Sequence, residues 1–120
     1  MQATIQRILK LSSDVRYVAI YRQGILGSAS RPDLTSPSSS ESDKYEELLV
    51  NPTILTLLNQ RGNIDCGGLQ YVLIRYGSFF EFVASIKDGH VSVGLELSAN
   101  PLTLVPHITA AVSALASESR

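Results

Sequence analysis

The chain has 120 residues, 44% hydrophobic and 18% charged, with 10 Lys plus Arg against 11 Asp plus Glu and a net charge of −1. That length fits a single domain over 1–120 with enough core to fold alone. The absence of a basic excess argues against nucleic acid or an anionic membrane as partner, and no apolar run approaches the roughly 20 residues of a membrane span. The N-terminal stretch "MQATIQRILKLSSD" is amphipathic and lacks the apolar block of a signal peptide, which points to a cytoplasmic protein. Cys66, in "NIDCGG", is the only cysteine, so no internal disulfide and no cysteine-based metal site can form. Nothing around it would stabilise a thiolate, and it reads as a structural or idle thiol.

Ile5, Ile8 and Leu9, with Leu11 at the flank, recur at helical spacing and predict a helix over about 2–12. "VRYVAIYRQGILGSASR" is rich in β-branched and aromatic residues and is interrupted at Gln23-Gly24. It predicts a hairpin with strands 15–22 and 25–31. "PDLTSPSSSESD", 32–43, is Ser/Pro-rich with Leu34 as its one large apolar group, and reads as a mobile loop. Asp43 can then cap a helix, with Glu46 at the capping-box position. "KYEELLVNPTILTLLNQR" supplies that helix. Asn51-Pro52 looks like a cap followed by a first helical residue, so a kink or two short helices meeting there is expected, and Gly62 supplies the stop.

From Leu69 onward the pattern is a three-strand meander: "LQYVLIRYG", "SFFEFVASIKD" and "HVSVGLELSA". Gly77-Ser78 suits a type II′ turn and Asp88-Gly89 a type I′ turn. With Asp88 and Gly89 as the turn, Ile86 faces Val91, Ala84 faces Val93, Phe82 faces Leu95 and Phe80 faces Leu97. Leu73, Tyr71 and Leu69 extend this apolar face, which helices must cover. The second face is apolar on the inner strands (Val72, Ile74, Tyr76, Phe79, Val83) and polar on the last (His90, Ser92, Gly94, Glu96, Ser98). One helix could cover the apolar half while the polar half meets solvent or a partner. After the meander, Asn100-Pro101 starts a last helix with Leu104, Ile108, Ala111, Val112 and Leu115 along one face, and Pro106 early in it.

The cluster Asp88, His90 and Glu96 invites a catalytic reading. In this register Asp88 is a turn residue, His90 stands beside the turn and is solvated, and Glu96 lies on the wet face opposite Glu81. Facing carboxylates usually cost stability or find a cation, and Arg16, Arg22 and Arg75 are available. The cluster therefore reads as a hairpin. There is no P-loop, GxGxxG, HExxH or GxSxG. His90 and His107 are the only histidines, and no acids stand at metal-loop spacing, so no metal, cofactor or catalytic residue is expected. Small-molecule binding between sheet and helix is the leading alternative to a chain without chemistry.

The order helix, hairpin, helix, three-strand meander, helix resembles the Roadblock domain, also called the dynein light chain roadblock type. The resemblance rests on "ATIQRILKL", "YVAIYRQGILGSAS", "TILTLLNQRG" and "LQYVLIRYGSFFEFVASIKDGHVSVGLELSANP" and covers about 2–116. The long loop and Pro52 depart from the usual pattern. The resemblance implies an α+β fold with a five-stranded, mostly antiparallel sheet in the order 2-1-5-4-3. The first and last helices would lie on one face and the second on the other. It implies a non-enzymatic homodimer that scaffolds or regulates a small Ras-like GTPase or related protein complex. A PAS- or profilin-like sensor binding a small ligand or peptide is the alternative. The strand 69–76 would lie at the sheet edge, apolar and without Lys or Pro, and would pair with its two-fold mate. The expected dimer interface comprises Leu55, Leu58, Gln70, Val72, Ile74 and Tyr76, with Thr56, Asn59 and Gln60 as partner contacts.

Overall fold

The computed structural model describes residues 1–34 and 40–115. Strands β1 (Val15–Arg22), β2 (Ile25–Ser30), β3 (Val72–Arg75), β4 (Phe80–Ile86) and β5 (Gly89–Leu95) form one antiparallel sheet in the order β2-β1-β5-β4-β3. Helix α1 (Gln2–Leu9) precedes the first hairpin and α4 (Pro101–Ser113) follows the meander. Between β2 and β3 run α2 (Ser40–Tyr45), a π-helical turn (Glu46–Val50) and α3 (Asn51–Asp65). The fold class and strand order are those expected from the sequence.

The main core lies between the first face of the sheet and helices α1 and α4. Ile5 and Ile8 from α1, with Ile108, Ala111 and Leu115 from the last helical segment, bury Val18, Ile20, Phe82, Val91, Val93 and Leu95. Val15 joins them although it stands three residues before Val18, an odd spacing for one face of a strand. A bulge explains this: Val15 pairs with Leu95 and Tyr17 with Gly94, so Arg16 is the extra residue. The bulge keeps both valines inward and releases Arg16 toward Glu96.

Several local expectations change. The β4–β5 register is displaced by two residues: Ile86 pairs with Gly89, Ala84 with Val91, Phe82 with Val93 and Phe80 with Leu95. A shift of two preserves the faces, so the apolar pattern could not detect it. The cause is Gly89. A β-carbon there would lie 1.7 Å from the Tyr21 carbonyl oxygen, so glycine serves the close approach of β5 to β1. The turn falls on Lys87-Asp88, and Asp88, a residue that tolerates it, takes the left-handed conformation at φ +64°. The Asp88 carbonyl accepts from the Gln23 N–H at 3.0 Å, joining the two hairpin turns. Glu81 consequently faces Gly94 and not Glu96.

The Gly77-Ser78 turn is not type II′, because Gly77 lies outside the left-handed region. The strand expected over 69–76 pairs only over Val72–Arg75. Of the loop expected over 32–43, residues 35–39 lie outside the described residues. Residues 40–43 belong to α2, which places Asp43 inside the helix and not at its cap. Gly62 does not stop α3, which continues to Asp65. It admits the returning chain instead: a β-carbon there would lie 3.0 Å from the Leu69 backbone nitrogen.

Replacing Gly89 by Ala is expected to cost about 3 kcal/mol in urea unfolding, since a strand must move to admit the methyl group. Asp88→Gly, which only relaxes a left-handed residue, is expected to cost far less in the same measurement.

Candidate interaction face

The helix over 40–65 lies across the second face of the sheet, and Pro52 shapes its path. In a regular α-helix proline removes one N–H bond, and its ring crowds the carbonyl four residues back. Here the preceding turn is π-helical: the Asn51 N–H bonds to the Glu46 carbonyl, five residues back. The wider turn accommodates the ring without a break, and Val50 (φ −67°, ψ −55°) and Asn51 (φ −63°, ψ −45°) both stay helical. Asn51 is thus a helical residue, not the cap expected from Asn51-Pro52. Its side chain points inward, on the same side as Glu47.

That inward side carries the principal departure from the sequence reading. The helix packs on β4 and β5 and so covers the polar last strand as well as part of the apolar half. Glu47, Asn51, His90, Ser92 and Glu81 are all buried. Glu47 accepts hydrogen bonds from His90 Nε2 at 2.8 Å, Ser92 Oγ at 2.6 Å and Asn51 Nδ2 at 3.1 Å. His90 is not solvated beside the turn; it stacks on Tyr21 with ring centroids 5.8 Å apart. Histidine, serine and glutamate together evoke a hydrolytic triad, but the connectivity is wrong for one. Here the acid binds both other groups, whereas a nucleophile needs the imidazole between itself and the acid.

Glu81 lies beside this cluster and is 3% exposed. Burial, followed by repulsion from Glu47 and Glu46, raises its carboxyl well above the usual range. It shares a hydrogen bond with Ser92, whose single hydroxyl proton goes to one acceptor. Glu46 and Asp43 are raised too, each chiefly by burial. Glu46 accepts from the Tyr76 hydroxyl at 3.0 Å, which ties β3 to the helix, and burial, then that bond, pushes Tyr76 up to about 12. Glu96, by contrast, sits at the rim between Arg31 (2.8 Å) and Arg16 (2.9 Å). Chiefly through the Arg31 bond, its carboxyl is held below the ordinary value. Of the cations expected to neutralise it, Arg16 does so; Arg31, unremarked in the sequence, completes the clamp.

The outer side of the same helix exposes several large apolar side chains. Tyr45 is 62% exposed and Leu57 61%, and Leu48, Leu49 and Ile64 are also exposed. Sequence reasoning missed these because the leucines run nearly consecutively and offer no single face. Of the expected interface residues, Leu55 is buried against the chain's own sheet and Leu58 is partly exposed. Val72, Ile74 and Tyr76 are half-buried, and Gln70 is exposed on the approach to β3. Of the expected partner contacts, Thr56 bonds its hydroxyl to the Pro52 carbonyl at 2.8 Å and Asn59 donates to Ser85 Oγ at 3.0 Å. Gln60 is exposed. Among the described residues, β3 pairs on one side only, with β4. Among the described residues, no helix is long and apolar enough to cross a membrane.

No family profile and no curated protein matches the sequence. Among solved structures, the Roadblock/LC7 domain from Streptomyces avermitilis is similar, with a TM-score of 0.77 over 98% of this chain and 96% of that one. Sequence identity is 11%, so the likeness is one of fold, and the fold is of the Roadblock type.

Glu81 sets a pH dependence whose sign follows from linkage. A carboxyl raised by folding binds its proton more tightly in the native state. Stability therefore falls as pH rises from the unfolded value, about 4.3, toward the folded one. Glu81→Gln is expected to raise the thermal midpoint at pH 7 and to flatten its decline above about pH 5. Circular dichroism melts across pH 4–8 check both.

Proposed function

We propose that the chain is a non-enzymatic, dimeric interaction module that scaffolds or regulates a small Ras-like GTPase or a related protein complex. One observation carries the dimer: the helix over 40–65 leaves Tyr45, Leu48, Leu49, Leu57 and Ile64 exposed on its outer side, next to the half-exposed edge strand β3. Several large apolar side chains exposed together on one helix normally mark an interaction surface. Two-fold pairing of β3 with its mate would continue the sheet through Gln70, Val72, Ile74 and Tyr76, and would bring the two helices together over the seam. Leu58 then joins Leu48 and Leu57 between the helices, while Leu55 supports them from inside each protomer. Thr56, Asn59 and Gln60 remain the best candidates for contact with a third protein. The GTPase comes from the resemblance to Roadblock domains, and the fold likeness is compatible with it.

Light scattering after size exclusion is expected to give twice the chain mass at tens of micromolar, in the usual range for a specific interface of this kind. Leu57→Glu and Val72→Glu, checked for retained fold by circular dichroism, should each shift the protein to monomer. A monomeric wild type, or two fully dimeric variants, would contradict the interface. Pull-down with purified Ras-like GTPases loaded with GDP or a GTP analogue tests the partner separately.

A further inference from the structure

A cavity of about 690 Å³ opens on the first face of the sheet, between the C-terminal half of α4 and strands β4 and β5. Its size is in the range of small-molecule sites. Ala84 and Val91 pair across its floor beside Phe82, and Val112 and Leu115 stand on the helical side. Ala84 and Val91 are short, so helix and sheet leave the space between them unfilled. The two hairpin turns close one end, joined by the bond from the Gln23 N–H to the Asp88 carbonyl. They bring two cations to the cavity, Arg22 and Lys87, against one acid, Asp88.

Arg22 is the residue without a structural explanation. It continues the inward alternation of Val18 and Ile20 on β1, at a position where that face calls for an apolar side chain. The sequence offered it as a counter-ion for a carboxylate, yet among the described residues it forms no ion pair and no side-chain hydrogen bond. Its Nε is buried, so the stem is held within the fold, and the terminal nitrogens are what a ligand can reach. A half-buried charge without a counter-ion is costly, and an anion entering beside it would offset that cost. We infer that this cavity binds an aliphatic carboxylate of medium chain length, with its head group at Arg22 and Lys87 and its chain over Phe82, Ala84 and Val91.

The lining discriminates among ligands. A small inorganic anion would meet the cations but leave the apolar floor in water. A cationic amphiphile would cover the floor but face two like charges. A carboxylate on an aliphatic chain satisfies both ends, and its two oxygens match the planar guanidinium in parallel hydrogen bonds. The carbonyls that end α4 carry partial negative charge, but among the described residues neither cation bonds to them. The inference goes beyond the dimer reading and does not rest on it. Of the lining, only Gln70 is shared with the proposed dimer interface.

The test is calorimetric titration of the full chain with octanoate. Octyltrimethylammonium supplies the same chain under a positive head, and acetate the head without the chain. Octanoate is expected to bind saturably with a Kd of about 1 mM or below, and each control more weakly by about tenfold or more. Arg22→Gln is expected to weaken octanoate by about tenfold, the scale of one charged hydrogen bond. Lys87→Gln, at an exposed turn residue, is expected to weaken it by about threefold and keeps the test open should Arg22→Gln unfold. Methyl NMR signals of Val91, Val112 and Leu115 are expected to move during the same titration. No saturable binding, equal binding of octyltrimethylammonium, shifts confined to other methyl groups, or unchanged affinity in the folded variants would overturn the site. Light scattering on the same samples separates these results from any change in dimerisation.

Discussion

The hydrogen bonds to Glu47 are the constraint on which the remainder of this molecule depends. A carboxyl buried beneath a helix is costly unless its lone pairs are met, and three donors meet them: His90, Ser92 and Asn51. Two of the donors stand on β5, in the middle of the sheet, and the third stands one turn along the same helix. The helix is therefore held over the polar strand by direction-specific bonds, while Leu55 and Val83 supply the apolar contact around them. Hydrophobic burial alone would have drawn the helix toward Val72 and Ile74. The polar anchor places it over β4 and β5 and leaves β3 half-covered.

The proposed function rests on that placement. Because the helix sits away from the edge, the edge strand keeps both an unpaired backbone and a partly exposed apolar face. Because the inner side is satisfied by Glu47, Asn51 and Leu55, the remaining leucines point outward. Under the proposed reading, a second copy of the chain covers what the anchor leaves bare. The π-helical turn belongs to the same account: it absorbs Pro52 while keeping Glu47 and Asn51 on one side. A prolyl kink at this point would have parted them.

Much of the fold was legible from alternation and turn chemistry. The first hairpin, the meander and the pattern of the first face followed from residues such as Phe82, Val91 and Val93, whose alternation puts them on one face. What escaped had physical reasons. The two-residue displacement of β5 preserves every face, so only the steric demand of Gly89 against Tyr21 could reveal it. The burial of His90 and Ser92 escaped because their partner, Glu47, lies more than forty positions away in a run, "YEELLV", that looks like an ordinary solvated helix start. The one hint was Glu47 and Asn51 at i, i+4 beside a proline. Such a pair marks a shared side without saying which way that side faces.

The central claim is that Glu47 and His90 hold each other beneath the helix, and a double-mutant cycle measures this directly. Glu47→Leu and His90→Leu are each expected to cost about 3 kcal/mol in urea unfolding, because each leaves buried polar groups short of a hydrogen bond. The double variant is expected to cost less than the sum by about 2 kcal/mol, since the bond between the two side chains is then lost only once. Single losses that simply add would show that the two residues do not act together, and would contradict the anchor.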